Sequence, residues 1–320
     1  MVKYMPLIDD SPDVPFVFDL PNEIQRQIFE EAAGMDGQCA LRLCLVARYV
    51  YAWVHPIVYK RVVISSPHSA ISFFKTLRSR PRCYFEPLIK SLTIASTVTL
   101  PQAKAILNEC SRRILVLTIF RNARSKEKIL DYVKTPFLKR LTMVCHRDWP
   151  PEERWFGFPN AQYDIPVGLI GNLTHLAIVV DYDMGSWFSL NAAFYLDAYP
   201  DHPVNLGAYA AFQNLTHAAT SSKALQHNVR IRKVAKNLRY FAILEHRDAT
   251  EEDHAALVGK VRGMEATYEY PSVPHSTVIL KDLGDPDVWK VTDSFRPSEL
   301  WRKIEKLVAQ GYISDREERW

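Results

Sequence analysis

Two tripeptides in this chain, His146-Arg147-Asp148 and His246-Arg247-Asp248, spell the opening of a kinase catalytic loop. In such a loop the Asp accepts the proton of the attacking hydroxyl, and an Asn five residues later holds a metal. Neither copy has that Asn, and the chain has no Gly-rich phosphate loop and no Asp-Phe-Gly. The tripeptides therefore carry no phosphotransfer chemistry. A denser group, His246, Asp248, Glu251, Glu252 and His254, has the right side chains for a metal. Capping explains it better: Thr250 and Asp253 spell a capping box, and acids in a first helical turn meet the positive end of the helix dipole. Gly-x-Ser-x-Gly, Gly-x-Gly-x-x-Gly and His-Glu-x-x-His are all absent from the sequence. The cysteines Cys39, Cys44, Cys83, Cys110 and Cys145 include no Cys-x-x-Cys and lack zinc-finger spacing. They read as reduced, buried thiols of an intracellular protein, and a RING-type zinc module is not expected. No catalytic residue, metal ligand or cofactor is predicted, and the chain is not expected to be an enzyme. An active site whose residues converge only in space is the remaining route to catalysis.

The chain has 320 residues, 48% of them hydrophobic, enough for a sizeable core and one or two domains. Pro 20 against Gly 11 suggests punctuated connections rather than disorder. A net charge of +4 permits an acidic partner without demanding nucleic acid, which is not expected as a ligand. Basic clusters at residues 75–82 and 230–239 read as solvated helix faces. No apolar stretch reaches membrane-spanning length, so a soluble protein without membrane contact is expected. Asn172-Leu173-Thr174 and Asn214-Leu215-Thr216 match the glycosylation pattern, but no signal peptide is read at the start.

Residues 1–18 read as a flexible leader. After it, Asp19 is placed to cap a helix, Pro21 suits a first turn, and Glu23 favours the helix start. Ile24, Ile28 and Phe29 give that helix an apolar stripe, with Gly34 and Gly37 closing it. A second segment, rich in Leu41, Leu43, Leu45 and Val46, and a third from residue 49 to 59, with Val50, Trp53, Val54, Ile57 and Val58, follow. Three short helices that are apolar on more than one side cannot bury themselves, so a partner surface is expected.

The series Leu20-Pro21-x-Glu23-Ile24-x-x-x-Ile28-Phe29, then Leu41-x-Leu43-x-Leu45-Val46, then Trp53, then Val58-Tyr59-x-x-Val62, resembles the F-box of fungal proteins of similar length. The resemblance covers residues 19–60. Arg48-Tyr49 departs from it, standing where the family often has Cys-Lys or Ser-Arg. The resemblance implies a three-helix module that docks on a Skp-type adaptor and, through it, on a cullin scaffold. It places the adaptor contacts at Leu20, Pro21, Ile24, Ile28, Leu43, Leu45 and Val46.

A second pattern fills the rest of the chain. Leu-x-x-Leu-x-Ile or a near variant starts at residues 59, 89, 114, 138, 173, 215 and 238, in steps of 30, 25, 24, 35, 42 and 23. The short steps match a leucine-rich repeat. Each copy alternates as a short strand does, and helical stretches at 69–78, 101–110, 125–133 and 251–261 lie between copies. The Asn that ladders turns in regular repeats is missing, so the pattern resembles the degenerate repeats of fungal F-box proteins. Residues 276–282 read as one more strand. Residues 297–311 read as a helix capped by Ser298, with Leu300, Ile304, Leu307 and Val308 on its face, serving as a C-terminal cap.

The predicted fold is therefore α+β (an α/β repeat). An N-terminal three-helix F-box (19–60) precedes an irregular leucine-rich-repeat-like solenoid (61–311) with a C-terminal capping helix, and a charged tail occupies 312–320. The two long steps carry aromatics, among them Trp149, Trp155, Phe158, Tyr182 and Trp187, and these are the predicted contacts to a protein substrate. The expected function is the substrate-recognition subunit of a Skp-cullin-F-box ubiquitin ligase, in the cytoplasm or nucleus. The alternative is a non-ligase leucine-rich-repeat scaffold or binding protein.

Overall fold

The computed structural model describes residues 20–122, 129–146, 167–180, 212–222, 235–246, 248–267, 276–280 and 297–310, together with residues 225 and 231. The leader at 1–18, Asp19, Gly311 and the tail at 312–320 lie outside these residues. The chain divides into two compact units, Met1–Val58 and Tyr59–Trp320.

The first unit is helical, with α1 (Asn22–Met35), α2 (Gly37–Leu43) and most of α3 (Arg48–Lys60). Pro21 is the N-cap of α1, one position before the predicted first turn. Its carbonyl accepts from the amides of Ile24 and Gln25 at 2.9 and 3.0 Å. The predicted stop at Gly34 and Gly37 is corrected. Gly34 is inside α1, and Asp36, extended at φ −143°, ends it. The Asp36 carboxylate then caps α2, accepting from the amides of Gln38 at 3.2 Å and Cys39 at 2.9 Å. Those two bonds hold its carboxyl below the usual range. The core of this unit is small: Ala33, Ala40, Val50 and Val54 are buried, with Phe29, Leu43, Cys44, Ala47, Ile57 and Val58 packed around them.

The second unit holds one eight-stranded, all-parallel sheet, its strands side by side in chain order. They are β1 (Arg61–Ile64), β2 (Ser91–Ile94), β3 (Val116–Asn122), β4 (Arg140–His146), β5 (His175–Val180), β6 (His217–Ser221), β7 (Tyr240–Leu244) and β8 (Ser276–Leu280). Each of the seven pattern copies becomes one strand, and the eighth strand is the one read at 276–282. The pattern recurs because neighbouring strands align without slip: Leu92, Leu117, Leu141, Leu176, Ala218 and Phe241 form one row of register partners. The turn entering each strand is equally regular. The carbonyls of Lys90, Leu115, Lys139, Thr174 and Thr216 each accept from two consecutive amides of the next strand's approach, at 2.8–3.1 Å. Two asparagines that stand just before the pattern's first Leu add side-chain bonds between neighbouring turns. Asn214 donates to the Gly171 carbonyl and Asn237 to that of Gln213, both at 2.6 Å.

Parallel strands covered on both faces read as nearly continuous apolar runs, and these do. On the first face lie Leu92, Ile94, Leu117, Ile119, Leu141, Met143, Leu176 and Ile178. They pack with α4 (Pro67–Arg78), α6 (Leu100–Cys110) and α8 (Glu251–Thr267), through residues such as Leu77, Ile106, Leu107 and Val261. The short helices α5 (Arg82–Phe85) and α7 (Val167–Ile170) contribute Phe85, Leu169 and Ile170 to the same core. Of the predicted helix at 125–133, the described part is a 3-10 turn, Ile129–Tyr132. On the second face Phe120, Val144, Ala177, Val179, Ala219, Ala242, Leu244, Val278 and Leu280 pack with Leu300, Trp301 and Ile304 of α9 (Pro297–Ala309).

This arrangement overturns the predicted fold class. The structure is a single all-parallel sheet with helices, an α/β fold, and not a three-helix F-box followed by a leucine-rich-repeat-like solenoid with a C-terminal cap. The physical reason lies in α9. The sequence showed its apolar stripe but not the surface that receives it, and α9 lies on the second face of the sheet rather than across an open end. Among the described residues no helix is long and apolar enough to cross a membrane.

Candidate functional site

In α1 an angular advance of about 100° per residue separates two apolar stripes. Phe29 and Ala33 face the small core. Ile24 lies nine residues before Ala33, which places it about 180° away on the opposite side, with Ile28 one turn further on the same stripe. Both are exposed, at 44% and 51%. The same happens in and just after α2, where Leu41, Leu45 and Val46 are exposed, Leu45 at 86%. Tyr49 and Tyr51 extend the apolar exposure into α3. Eight of the twelve large exposed hydrophobic side chains among the described residues fall between Ile24 and Tyr51. Scattered single exposures are ordinary, whereas these are concentrated on one short segment.

Of the predicted adaptor contacts, Ile24, Ile28, Leu45 and Val46 belong to this exposed set, and Pro21 is exposed at the helix start. Leu43 is half-buried against the unit's own core. Leu20 is half-buried, and its carbonyl accepts from Gln25 Nε2 at 2.7 Å. Trp53 is half-buried as well, with the Tyr49 ring edge-on at 5.0 Å. The predicted substrate contacts Trp149, Trp155, Phe158, Tyr182 and Trp187 lie outside the described residues.

The group around His246 resolves into local structure. Thr250 Oγ1 accepts from the Asp253 amide at 3.1 Å, and Asp253 Oδ2 accepts from the Thr250 amide at 2.9 Å, the reciprocal pair of a capping box. His254 Nδ1 lies 2.9 Å from Oε2 of the buried Glu245. The expectation of buried thiols is corrected in part. Among the described cysteines Cys83 is exposed and Cys39 and Cys44 are half-buried. Cys110 alone is buried, and burial pushes its thiol up to about 12.

Sequence reasoning missed a different cluster. His175 opens β5 and His217 opens β6 as register partners, so both rings stand on the second face under α9. The rings stack at 4.1 Å with planes 7° apart, Tyr240 stacks on His217 at 4.6 Å, and Trp301 of α9 meets both histidines edge-on at 5.0 and 5.6 Å. His217 Nε2 lies 3.1 Å from Glu305 Oε1 of α9. His175 Nε2 is buried without a hydrogen-bond partner among the described residues. Burial, helped by His217 and Arg140, holds the His175 imidazole down to about 3. Burial lowers His217 as well, against the pull of Glu305. The signal was legible: Asn172-Leu173-Thr174-His175 and Asn214-Leu215-Thr216-His217 are the same tetrapeptide at the same register position. It was read for glycosylation, not for its histidines. No protein-family model matches the chain, and no curated protein matches it.

Proposed function

We propose that the chain is the substrate-recognition subunit of a Skp-cullin-F-box ubiquitin ligase, acting in the cytoplasm or nucleus. Its N-terminal helices dock on the Skp-type adaptor, and its second unit presents a protein target. The supporting observation is the exposure of Ile24 and Ile28 on α1 and of Leu45 and Val46 just after α2, on the segment whose residue pattern resembles the F-box. An exposed aliphatic stripe opposite a small core suits helix-in-groove association, in which apolar anchors at i, i+4 spacing carry most of the affinity. The chain's contribution is proximity: it holds a target beside a ubiquitin-carrying enzyme and makes or breaks no bond itself.

The test is binding of the purified full chain to a recombinant Skp-type adaptor, with the pair Ile28→Asp/Leu45→Asp as the variant. Both side chains are exposed, so circular dichroism and melting should stay as in the wild type. Adaptor affinity should fall about 30-fold or more, as expected for loss of interface anchors. A folded wild type that does not bind, or a double variant that binds equally well, removes the ligase reading and leaves a binding protein of another kind.

A further inference from the structure

The two stacked histidines are held in one tautomer. Thr174 Oγ1 lies 3.1 Å from the Lys139 carbonyl, and Thr216 Oγ1 lies 3.1 Å from the Thr174 carbonyl. A carbonyl oxygen only accepts, so each hydroxyl donates to it and turns a lone pair toward the neighbouring ring. His175 Nδ1 is 2.8 Å from Thr174 Oγ1, and His217 Nδ1 is 2.8 Å from Thr216 Oγ1. Each Nδ1 therefore carries the hydrogen and each Nε2 presents a bare lone pair. Fixing one ring nitrogen by a neighbouring oxygen is how proteins prepare an imidazole to ligate through the other.

What those lone pairs face is the informative part. His175 Nε2 is buried and has no hydrogen-bond partner among the described residues. His217 Nε2 faces a carboxylate oxygen at 3.1 Å, where two acceptors repel unless a proton or a metal cation lies between them. The three ligand atoms, one each from His175, His217 and Glu305, all lie within 4.8 Å of one another. We propose that His175, His217 and Glu305 bind one divalent transition-metal ion, best matched by Zn2+, and that this ion clips helix α9 to strands β5 and β6.

Ligand chemistry selects the ion. Two imidazoles with one carboxylate suit zinc and its first-row neighbours, whereas calcium and magnesium take oxygen ligands. Around a zinc ion with bonds near 2.0–2.1 Å, tetrahedral ligand atoms lie about 3.3 Å apart. The His217–Glu305 edge, at 3.1 Å, already has that length. The other edges are no longer than 4.8 Å, and because the two rings stack nearly parallel, chelation brings their Nε2 ends toward one another by a tilt of the ring planes. The Glu305 charge offsets the ion, while Arg140 and Arg239 oppose it. The proposal does not depend on the docking surface of the first unit.

The test uses the full chain stripped of metal with a chelator. Equilibrium dialysis against Zn2+ should load one equivalent per chain. Co2+ in its place should give the strong visible absorption of a tetrahedral site, which adventitious octahedral surface binding does not give. Glu305→Gln changes a half-exposed helix side chain and should leave the fold intact while weakening uptake at least 10-fold. His217→Asn should abolish the cobalt spectrum. Zinc should also slow tryptic cleavage at Arg302, Lys303 and Lys306 of α9 in the wild type and not in Glu305→Gln. A folded wild type that takes up no Zn2+ overturns the proposal, as does a Glu305→Gln protein that retains wild-type uptake and cobalt spectrum.

Discussion

At the scale of single residues, His175 couples the stability of the metal-stripped protein to pH. Its imidazole is held down to about 3 in the folded chain, against an ordinary value of 6.5, because burial, the His217 ring and the Arg140 charge all disfavour the cation. The native state therefore binds its proton later than the unfolded chain does. Stability is full above about pH 6.5 and is lost as pH falls from there toward 3, by about 2 kcal/mol at pH 5. His217 is shifted in the same direction, with Arg140 and Arg239 acting with burial and Glu305 against it. Urea midpoints measured at pH 7 and pH 5 should differ accordingly, and His175→Asn should flatten the difference. The carboxyls of Asp36 and Asp253 are lowered from 3.8 and titrate below that range, so they leave this window clear. A wild type whose midpoint is equal at both values contradicts the account.

At the scale of elements, the decisive one is α9. Leu300, Trp301 and Ile304 are almost wholly buried, and each contributes roughly 1.5–3 kcal/mol by leaving water. Ending the chain before Pro297 uncovers Val179, Leu244, Val278 and Leu280 on the second face. The truncated protein should bind a hydrophobic dye strongly and self-associate, while the full chain does neither. Dye fluorescence and light scattering on the two proteins decide this. The same helix marks the limit of what could be read in advance. A parallel ladder forces like residues into like register positions, so Leu92, Leu117 and Leu141 announce their strands in the sequence. An amphipathic helix announces only that it is covered. Leu300 and Ile304 do not say whether they face a sheet's end or its second face, so the fold class was misread there. His175 and His217 stand 42 residues apart, and it is the shared Asn-Leu-Thr-His tetrapeptide at one register position that could have paired them.

At the scale of the whole molecule, the two units differ in how firmly they hold themselves. Among the described residues the buried core of Met1–Val58 is two alanines and two valines, whereas the sheet buries large apolar side chains from every strand except β6. Local opening free energy follows buried apolar contact. Amides of α1 and α2 should therefore exchange at least 10-fold faster than those of β3 to β6 in native-state hydrogen exchange, and added adaptor should slow them selectively. Equal protection in both units would show that the small helical core is not the weak part.

The strands begin at Arg61, Ser91, Val116, Arg140, His175, His217, Tyr240 and Ser276, intervals that run from 23 to 42 residues. Every neighbour is nevertheless met in register, through the same doubled carbonyl at the entry turn across most of the sheet. Chain length between rungs and position on the sheet are thus uncoupled. Widening the spacing of strand starts from 23 to 42 residues costs only about 0.5 kcal/mol of chain entropy. The scaffold can host grafted sequence between its strands with little retuning of the ladder. Recognition surface can then be acquired by lengthening a connection, while the buried rows that hold the fold together stay unaltered.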